Sequence, residues 1–429
     1  MANREVVITG MGLTSPLGSS VEENWANIMA MKTGIRHFPA EDRPAFLQYM
    51  GVTDHHKLPE DIPQKQRGQM KFLNRGALLG FCAAYEAIAG AAEGIAAITP
   101  GRRALYVASG DFTRVGSEFM YPAVKDAVDE HWKTIDHEKL NNAALNKVNP
   151  FFLLESLHNN LFSFLSAFAE FMGPNTSLAS LSPNGGNTLE LASRSIRQNK
   201  ADIALAVGYG NWITEIPIYE LEGLGILSGC RQGVNSFRPF DRKRDGFIPG
   251  EGGAALMLES AESAENRGAR ILGRIKGFSN TVEFESNKTI SVPGKVSEYN
   301  MQDVLKTADC KAEDLSFIIP HGSGTVKGDR SELNSLLSLT RASGTSPIIC
   351  GLKPYTGHMG AASDLAEIIT GVKAMQEKTV PATLNFLKSD KDFNNLKISA
   401  EPQPCSHGCF LSLSYGVGGQ SSSVIIESA

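Results

Sequence analysis

An α/β fold with buried sheets, built from two similar halves, is predicted by three features of this 429-residue sequence. Short continuous apolar runs alternate with helix-like stretches. Polar and glycine residues gather where the runs end. The same pattern recurs, weakly, in the second half of the chain. The runs lie at 5–9, 104–108, 203–207, 317–319, 348–350 and 422–426, with helical periodicity at 189–198 and 331–339 between them. Apolar strands separated by helices suit sheets covered on both faces. In the first half the strand ends fall at Ser109-Gly110, near Ser182, and at 208–210; in the second they fall at His321-Gly322, Lys353 and Tyr415-Gly416. Open α/β sheets place their ligand-handling groups at such carboxyl ends. No low-complexity linker separates the halves, so one compact body split near residue 260 is expected. The stretch 111–174 is less regular, and its aromatic-rich part, 151–171, reads as buried or interfacial helices.

Composition narrows the function. The chain is 42% apolar and 20% charged with a net charge of -5, an ordinary globular balance. Without a long basic run, nucleic acid is not an expected partner. The opening MANREVVITG lacks the features of a signal peptide, and no apolar run approaches the roughly 20 residues needed to span a bilayer. A cytosolic protein with no membrane contact is expected. Six scattered cysteines fit reduced thiols. Cys405, His407 and Cys409 sit close together, but their spacing is not a zinc spacing and no second cluster accompanies them. Neither a metal nor another cofactor is expected.

Four segments carry candidate chemistry. The first, 177–189, reads SLASLSPNGGNTL: a strand, a sharp turn at Ser182, then a helix with Pro183 suited to its first position. A side chain there meets the positive end of a helix, where N–H groups favour developing negative charge. This is the place of a nucleophile elbow, although the G-x-S-x-G pattern is absent. A serine before a helix also serves commonly as a plain N-cap. The second segment, HGSGTVKGDRSE, follows a buried strand and holds His321, Asp329 and Glu332. It suits an active-site loop, or a histidine satisfied within a turn with two acids on the helix dipole. The third, GLKPYTGHMG, puts Lys353 and His358 near another strand end. The fourth, SYGVGGQ, is a glycine loop between two strands, able to offer N–H groups to an oxyanion or simply to turn.

Together, in this order and spacing, these segments resemble the β-ketoacyl synthases of the elongating type. That family sets a nucleophile before an H-G-T-x-T-x-x-x-D-x-x-E loop, a K-x-x-x-x-H-x-x-G-A segment and a terminal G-F-G-G loop. The stretch FDRKRDGFIPGEGG at 240–253 and the opening VVITGMGLTSPLG extend the similarity over essentially the whole chain. The resemblance implies a thiolase-like, five-layered α-β-α-β-α fold. Its N-terminal half, 1–260, would carry the nucleophile elbow and the dimerisation region; its C-terminal half, 261–429, would carry two histidine loops and the glycine loop. It further implies a β-ketoacyl synthase-like acyltransferase of fatty acid or polyketide biosynthesis, served by acyl carrier protein with a phosphopantetheine-bound acyl or malonyl group. A homodimer, or a heterodimer with a related ketosynthase, is implied as well. His321 and His358 would face the nucleophile and polarise the malonyl carbonyl. Lys353 and Glu332, with Asp329, would order the site. The N–H groups of Ser182 and Val417 would form the oxyanion hole, and the loop Gly416, Val417, Gly418 would gate the acyl chain.

The sequence departs from the family at three places. Ser182 stands where the family has cysteine, Pro183 and Asn184 replace small residues, and Val417 replaces a gating phenylalanine. A thiol of pKa about 8.5 is readily lowered by a helix N-terminus. A hydroxyl is not, and needs a general base within reach. One reading makes Ser182 a working nucleophile. The alternative is a decarboxylating or non-condensing partner subunit, like the chain-length factors of type II polyketide systems. A purely structural thiolase-like subunit is a third. The neighbours Leu181 and Pro183 speak for natural divergence rather than a serine introduced into a cysteine enzyme. Thiolases proper use a second cysteine near the C-terminus, which 414–417 does not supply.

Overall fold

The computed structural model describes the chain except residues 1–3, 42, 55–57, 61, 92–94, 111–116, 153–156, 158, 181–182, 285–290 and 406–407, and gives the backbone alone at 117–118 and 215–216. Ten strands form two matching blocks. The first holds β1 (Val6–Thr14), β2 (Arg103–Ser109), β3 (Asn175–Ala179), β4 (Ile203–Asn211) and β5 (Glu251–Ser260). The second holds β6 (Gly273–Val282), β7 (Leu315–Ile319), β8 (Ile348–Ile349), β9 (Cys409–Tyr415) and β10 (Gln420–Ser428).

Their spatial orders are β3-β2-β4-β5-β1 and β8-β7-β9-β10-β6. In each block the first three strands run parallel and the last two pairings are antiparallel. The blocks therefore share one order and one set of senses, as the echo in the sequence suggested. They are not separate sheets: β1 and β6 pair antiparallel from Val6↔Ile275 to Ile8↔Gly273 and join them edge to edge. The short strand Lys397–Ile398 extends the outer side of β8 and completes an 11-stranded sheet.

Five helices complete the layering: α1 (Arg75–Gly90), α2 (Asn184–Arg197), α3 (Glu298–Thr307), α4 (Val326–Ser343) and α5 (Ala361–Gln376). Strand alternation assigns the faces. In β4, Ala204 and Ala206 turn to a core shared with α2 and α5, whereas Ile203, Leu205 and Val207 turn to a second core with Phe81 of α1. In β7, Phe317 and Ile319 face the shared core and Ile318 faces a third, with Met301 of α3 and Leu336 of α4. The sequence of layers is thus helix, sheet, helix, sheet, helix. Helix α5 is buried from Ala361 through Met375, as a helix enclosed between the two blocks of the sheet must be. Small residues let the layers close: a Cβ on Gly208 of β4 would lie 2.4 Å from the Ala361 carbonyl oxygen.

Strands β5 and β6 do not stand out as apolar runs in the sequence, because EGGAALMLES and GRIKGFSNTV carry glycine, polar and charged residues inside the run. Glycine is what β5 requires where α1 crosses it closely. Within 151–171 the described helix is Asn160–Ala169, with Leu161, Phe164 and Leu165 buried. Among the described residues no helix is long and apolar enough to cross a membrane.

The close approach of α1 gives a direct test of the packing. A Cβ at Gly12 of β1 would fall 1.9 Å from the Ala83 carbonyl oxygen. Gly12→Ala forces that interface apart, and overpacking of this kind costs about 1–3 kcal/mol. The midpoint of urea unfolding should fall accordingly; an unchanged midpoint contradicts the α1 packing described here.

Candidate active site

The carboxyl ends of β4, β7 and β9 and the N-terminal ends of α2 and α5 converge on one place. His321 follows β7 and His358 precedes α5. Both are 7% exposed, and their rings lie 5.3 Å apart between centroids. Trp212, just past β4, stacks on His358 at 4.5 Å, and Phe247 lies against the same ring at 5.0 Å. Tyr415, at the end of β9, lies 4.4 Å from His321. The imidazoles stand between two cavities. One, of about 520 Å³, is bounded by Leu221, Ile226, Phe247 and Val417; the other, of about 290 Å³, is bounded by Ser180, Pro183 and Asp364.

Burial, reinforced by the nearby Lys353 ammonium, holds both imidazoles well below their ordinary pKa, so both are neutral at physiological pH. The Gly360 N–H donates to Nδ1 of His358 at 3.2 Å. That bond leaves the proton of the neutral ring on Nε2, making His358 a hydrogen-bond donor on its other side. No such bond fixes the tautomer of His321, whose Nδ1 has no hydrogen-bond partner among the described residues.

The other residues singled out in the sequence hold the main chain of the histidine loop. Glu332 accepts from the N–H groups of His321 at 2.7 Å and Gly322 at 2.9 Å. Asp329 accepts from Phe240 N–H at 2.7 Å, Gly324 N–H at 2.8 Å and the Ser323 hydroxyl at 3.1 Å. Burial pushes Glu332 up to about 8 and Asp329 up to about 6. Neither acid simply complements the dipole of α4; both turn back to clamp the preceding loop. Lys353 donates to the His321 carbonyl at 2.6 Å and meets both oxygens of Glu367 at 2.8 and 3.0 Å. Its ion-pair partner is therefore Glu367, not Glu332. In the glycine loop Gly416 donates its N–H to Gln420, Gly418 adopts φ +101°, and Val417 is 44% exposed at the rim of the larger cavity.

Ser182 lies outside the described residues. Ser180 and Pro183, close by it in sequence, both line the smaller cavity with the two histidines. Pro183 is the N-cap of α2 rather than its first helical residue, with φ -70° and ψ 62°. Glu367, Asp364, Trp212 and Tyr415 were missed. The two acids carried a readable signal: they stand three apart in AASDLAEIITGVKAMQ, a segment otherwise apolar enough to be buried all round. His407 also lies outside the described residues, and among those described no group of three or more potential ligands is placed to hold a metal.

The Lys353–Glu367 pair makes a measurable claim. Removing one partner of a buried pair strands the other charge and typically costs about 3–5 kcal/mol. Lys353→Met should lower the thermal unfolding midpoint sharply, and Lys353→Met with Glu367→Leu should recover much of the loss. A double variant as unstable as the single one would show that the pair is not coupled.

Residues 3–264 match the model of the β-ketoacyl synthase N-terminal domain, and residues 272–387 match that of the C-terminal domain. The 3-oxoacyl-[acyl-carrier-protein] synthase 2 of Staphylococcus aureus (strain COL) is 25% identical over 426 residues, which cover 99% of this chain and 98% of that protein. Two solved structures share the fold over 100% of both chains. One is the AntDE:AntF complex of a type II PKS acyl-carrier protein with its ketosynthase bound to the hexaketide, at 22% identity and TM-score 0.83. The other is the ishigamide ketosynthase/chain length factor, at 23% identity and TM-score 0.80. With its thiolase-like fold and both domain models matched, the chain belongs to the β-ketoacyl synthase family.

Proposed function

We propose that this chain is an acyl-transferring ketosynthase of fatty acid or polyketide synthesis in which Ser182, standing in place of the family's cysteine, is the nucleophile. The observation that supports this best is the pair of neutral imidazoles at the junction of the two cavities, with Ser180 and Pro183 on the same cavity wall. A hydroxyl needs a general base. His358 is committed as an Nε2–H donor by its bond from Gly360, so the base is His321. Ser182 attacks the carbonyl carbon of a thioester carried on acyl carrier protein, and His321 takes the hydroxyl proton. The carbon–sulfur bond then breaks, the proton passes to the departing thiol, and an oxygen ester remains. In the condensing step a malonyl thioester loses carbon dioxide. Its enolate attacks the ester carbonyl, the carbon–oxygen bond to Ser182 breaks, and the serine oxygen takes up a proton delivered from solvent through His321. His358 donates to the enolate oxygen, and the N–H groups of Ser182 and Val417 hold the oxyanion.

Lys353, Glu332 and Asp329 act here as holders of the histidine loop. Gly416, Val417 and Gly418 gate the larger cavity. The division near residue 260 into an elbow-bearing half and a histidine-bearing half belongs to the same reading, as does a cytosolic setting supplied with acyl carrier protein. A second reading has a specific observation behind it. The carboxylate of Asp364 accepts the Gly185 N–H at the start of α2. It leaves less positive field for a nucleophile there, which suits a decarboxylating or non-condensing partner subunit.

The decisive measurement is intact-protein mass after incubation with an acyl-loaded carrier protein. Wild type should gain the acyl mass, Ser182→Ala should gain none, and His321→Ala should load at least about a hundredfold more slowly, within the range for a lost general base. Wild type that never loads, yet releases carbon dioxide from malonyl carrier, selects the decarboxylating reading; neither activity selects the silent partner.

Assembly is proposed as a dimer through the first half. There β3 stands last in the sheet order among the described residues, with alternately exposed residues, a place where another strand can add. Phe151, Leu157 and Met172, in the segment leading to it, are exposed at 49%, 40% and 71%. Light scattering should return twice the 46.2 kDa chain mass, or a heterodimer when a related ketosynthase is co-expressed. A monomer under both conditions rules this out.

A further inference from the structure

The start of α2 is already occupied. Pro183, its N-cap, makes no side-chain cap and as proline has no N–H. After Pro183 come the N–H groups of Asn184, Gly185 and Gly186, of the kind that helix N-termini leave unpaired and that bind anions; those of Gly185 and Gly186 are not free. They are taken by a carboxylate from another helix. Asp364, in the first turn of α5, accepts from Gly185 N–H at 3.0 Å, and the same carboxyl meets Gly186 N–H and the Ser414 hydroxyl. Its side chain is almost wholly buried, at 4% exposed. The two helices are fitted to one another here: a Cβ at Gly185 would lie 2.8 Å from the Asp364 Cβ.

Asp364 also borders the smaller cavity with Ser180, Pro183, His321 and His358. Burial raises the Asp364 carboxyl above its ordinary range, against the pull of the Lys353 ammonium; Glu367 lies one turn further along α5. The two imidazoles face Asp364 across the cavity and are neutral. Two of the N–H donors at the positive end of α2 are therefore spent on a built-in carboxyl before any substrate arrives.

We propose that Asp364 is a positioning residue that keeps the group at position 182 un-ionised, by occupying the α2 N–H donors that would otherwise stabilise its anion. This rests on reading position 182 as the nucleophile. A thiol at the head of a free helix is drawn toward the thiolate, with pKa values of roughly 3.5–7.5 in reactive cysteines. Beside Asp364 that gain is withheld. A serine loses little by this, because its proton leaves to a base during attack and no standing alkoxide is needed. On this reading serine at 182 and aspartate at 364 suit one another.

The test replaces serine by a group whose ionisation is readable. In Ser182→Cys, the pH dependence of iodoacetamide alkylation at residue 182 is followed by peptide mass, which separates it from the native cysteines. Its titration should sit in the ordinary thiol range near about 8.5. Adding Asp364→Ala or Asp364→Leu, neither of which carries an acceptor, should lower it by about one unit or more, equivalent to about tenfold faster alkylation on the acid side. A shift of that size in either double variant supports the proposal, and its absence in both overturns it. Asp364→Leu fills the space of the carboxyl and decides the matter if Asp364→Ala does not fold. Because no acyl transfer is measured, a wild-type chain that never becomes acylated leaves this result standing.

Discussion

The ammonium of Lys353 is the interaction on which the site depends. It is buried to 2% exposure and spends its donors on the two oxygens of Glu367 and the carbonyl of His321. A buried ion pair recovers its desolvation cost only when its geometry is close and its remaining donors are satisfied. Here they are, and the result is a tie between three segments: the turn after β8, helix α5 and the loop after β7. Glu332 holds the same residue from the other side through the His321 N–H. The main chain of His321 is thereby gripped at both its polar groups. Asp329 does the same for the next turn of the loop through Gly324 and Ser323. What the acids and the lysine contribute is the fixed placing of an imidazole, the kind of support a reactive constellation requires.

The repeated fold decides where that grip is applied. Both blocks place a helix after their third strand, α2 after β3 and α5 after β8, and the two helices pack together between the blocks. Each helix brings its N-terminus to the same point. Small residues on the facing strands let α5 lie close enough for its first turns to reach across: Gly208 and Gly210 of β4 face the carbonyls of Ala361 and Met359. Asp364 and Glu367 can therefore act on groups that are distant in sequence. One caps α2, and the other neutralises Lys353.

Legibility in the sequence followed the range of the forces involved. The strands β2, β4, β7 and β8 were readable because their apolar runs are continuous. The histidines, Lys353, Asp329 and Glu332 were readable because loops after strands carry chemistry, and because their spacing matches a known family. Partners were not readable. Nothing local to Lys353 reveals that its counterion is Glu367 on the next helix, nor that Glu332 faces the backbone instead. Pro183 was placed one residue too far into α2, since a proline suits the N-cap and the first turn alike. The joining of the blocks through β1 and β6 depends on a three-residue register that no periodicity encodes. The geometry of Ser182 itself lies outside the described residues, so its role stands on its neighbours and on the family match.

Those neighbours change how the anion of the reaction must be held. In a site whose nucleophile helix points free donors at the reacting centre, the helix contributes to every negative charge that forms there. Here the Gly185 N–H already serves Asp364. The donors left are local and directional: Nε2–H of His358, whose tautomer is set from behind by Gly360, and the backbone of the glycine loop after β9. On the proposed reading such donors would serve an oxyanion on the substrate rather than one on the enzyme. A serine is, on that reading, compatible with the division, since its oxygen bonds to the acyl carbon as its proton passes to His321 and no alkoxide has to stand. A cysteine would be asked to remain a thiol beside a carboxylate, forfeiting the ionisation that makes sulfur useful.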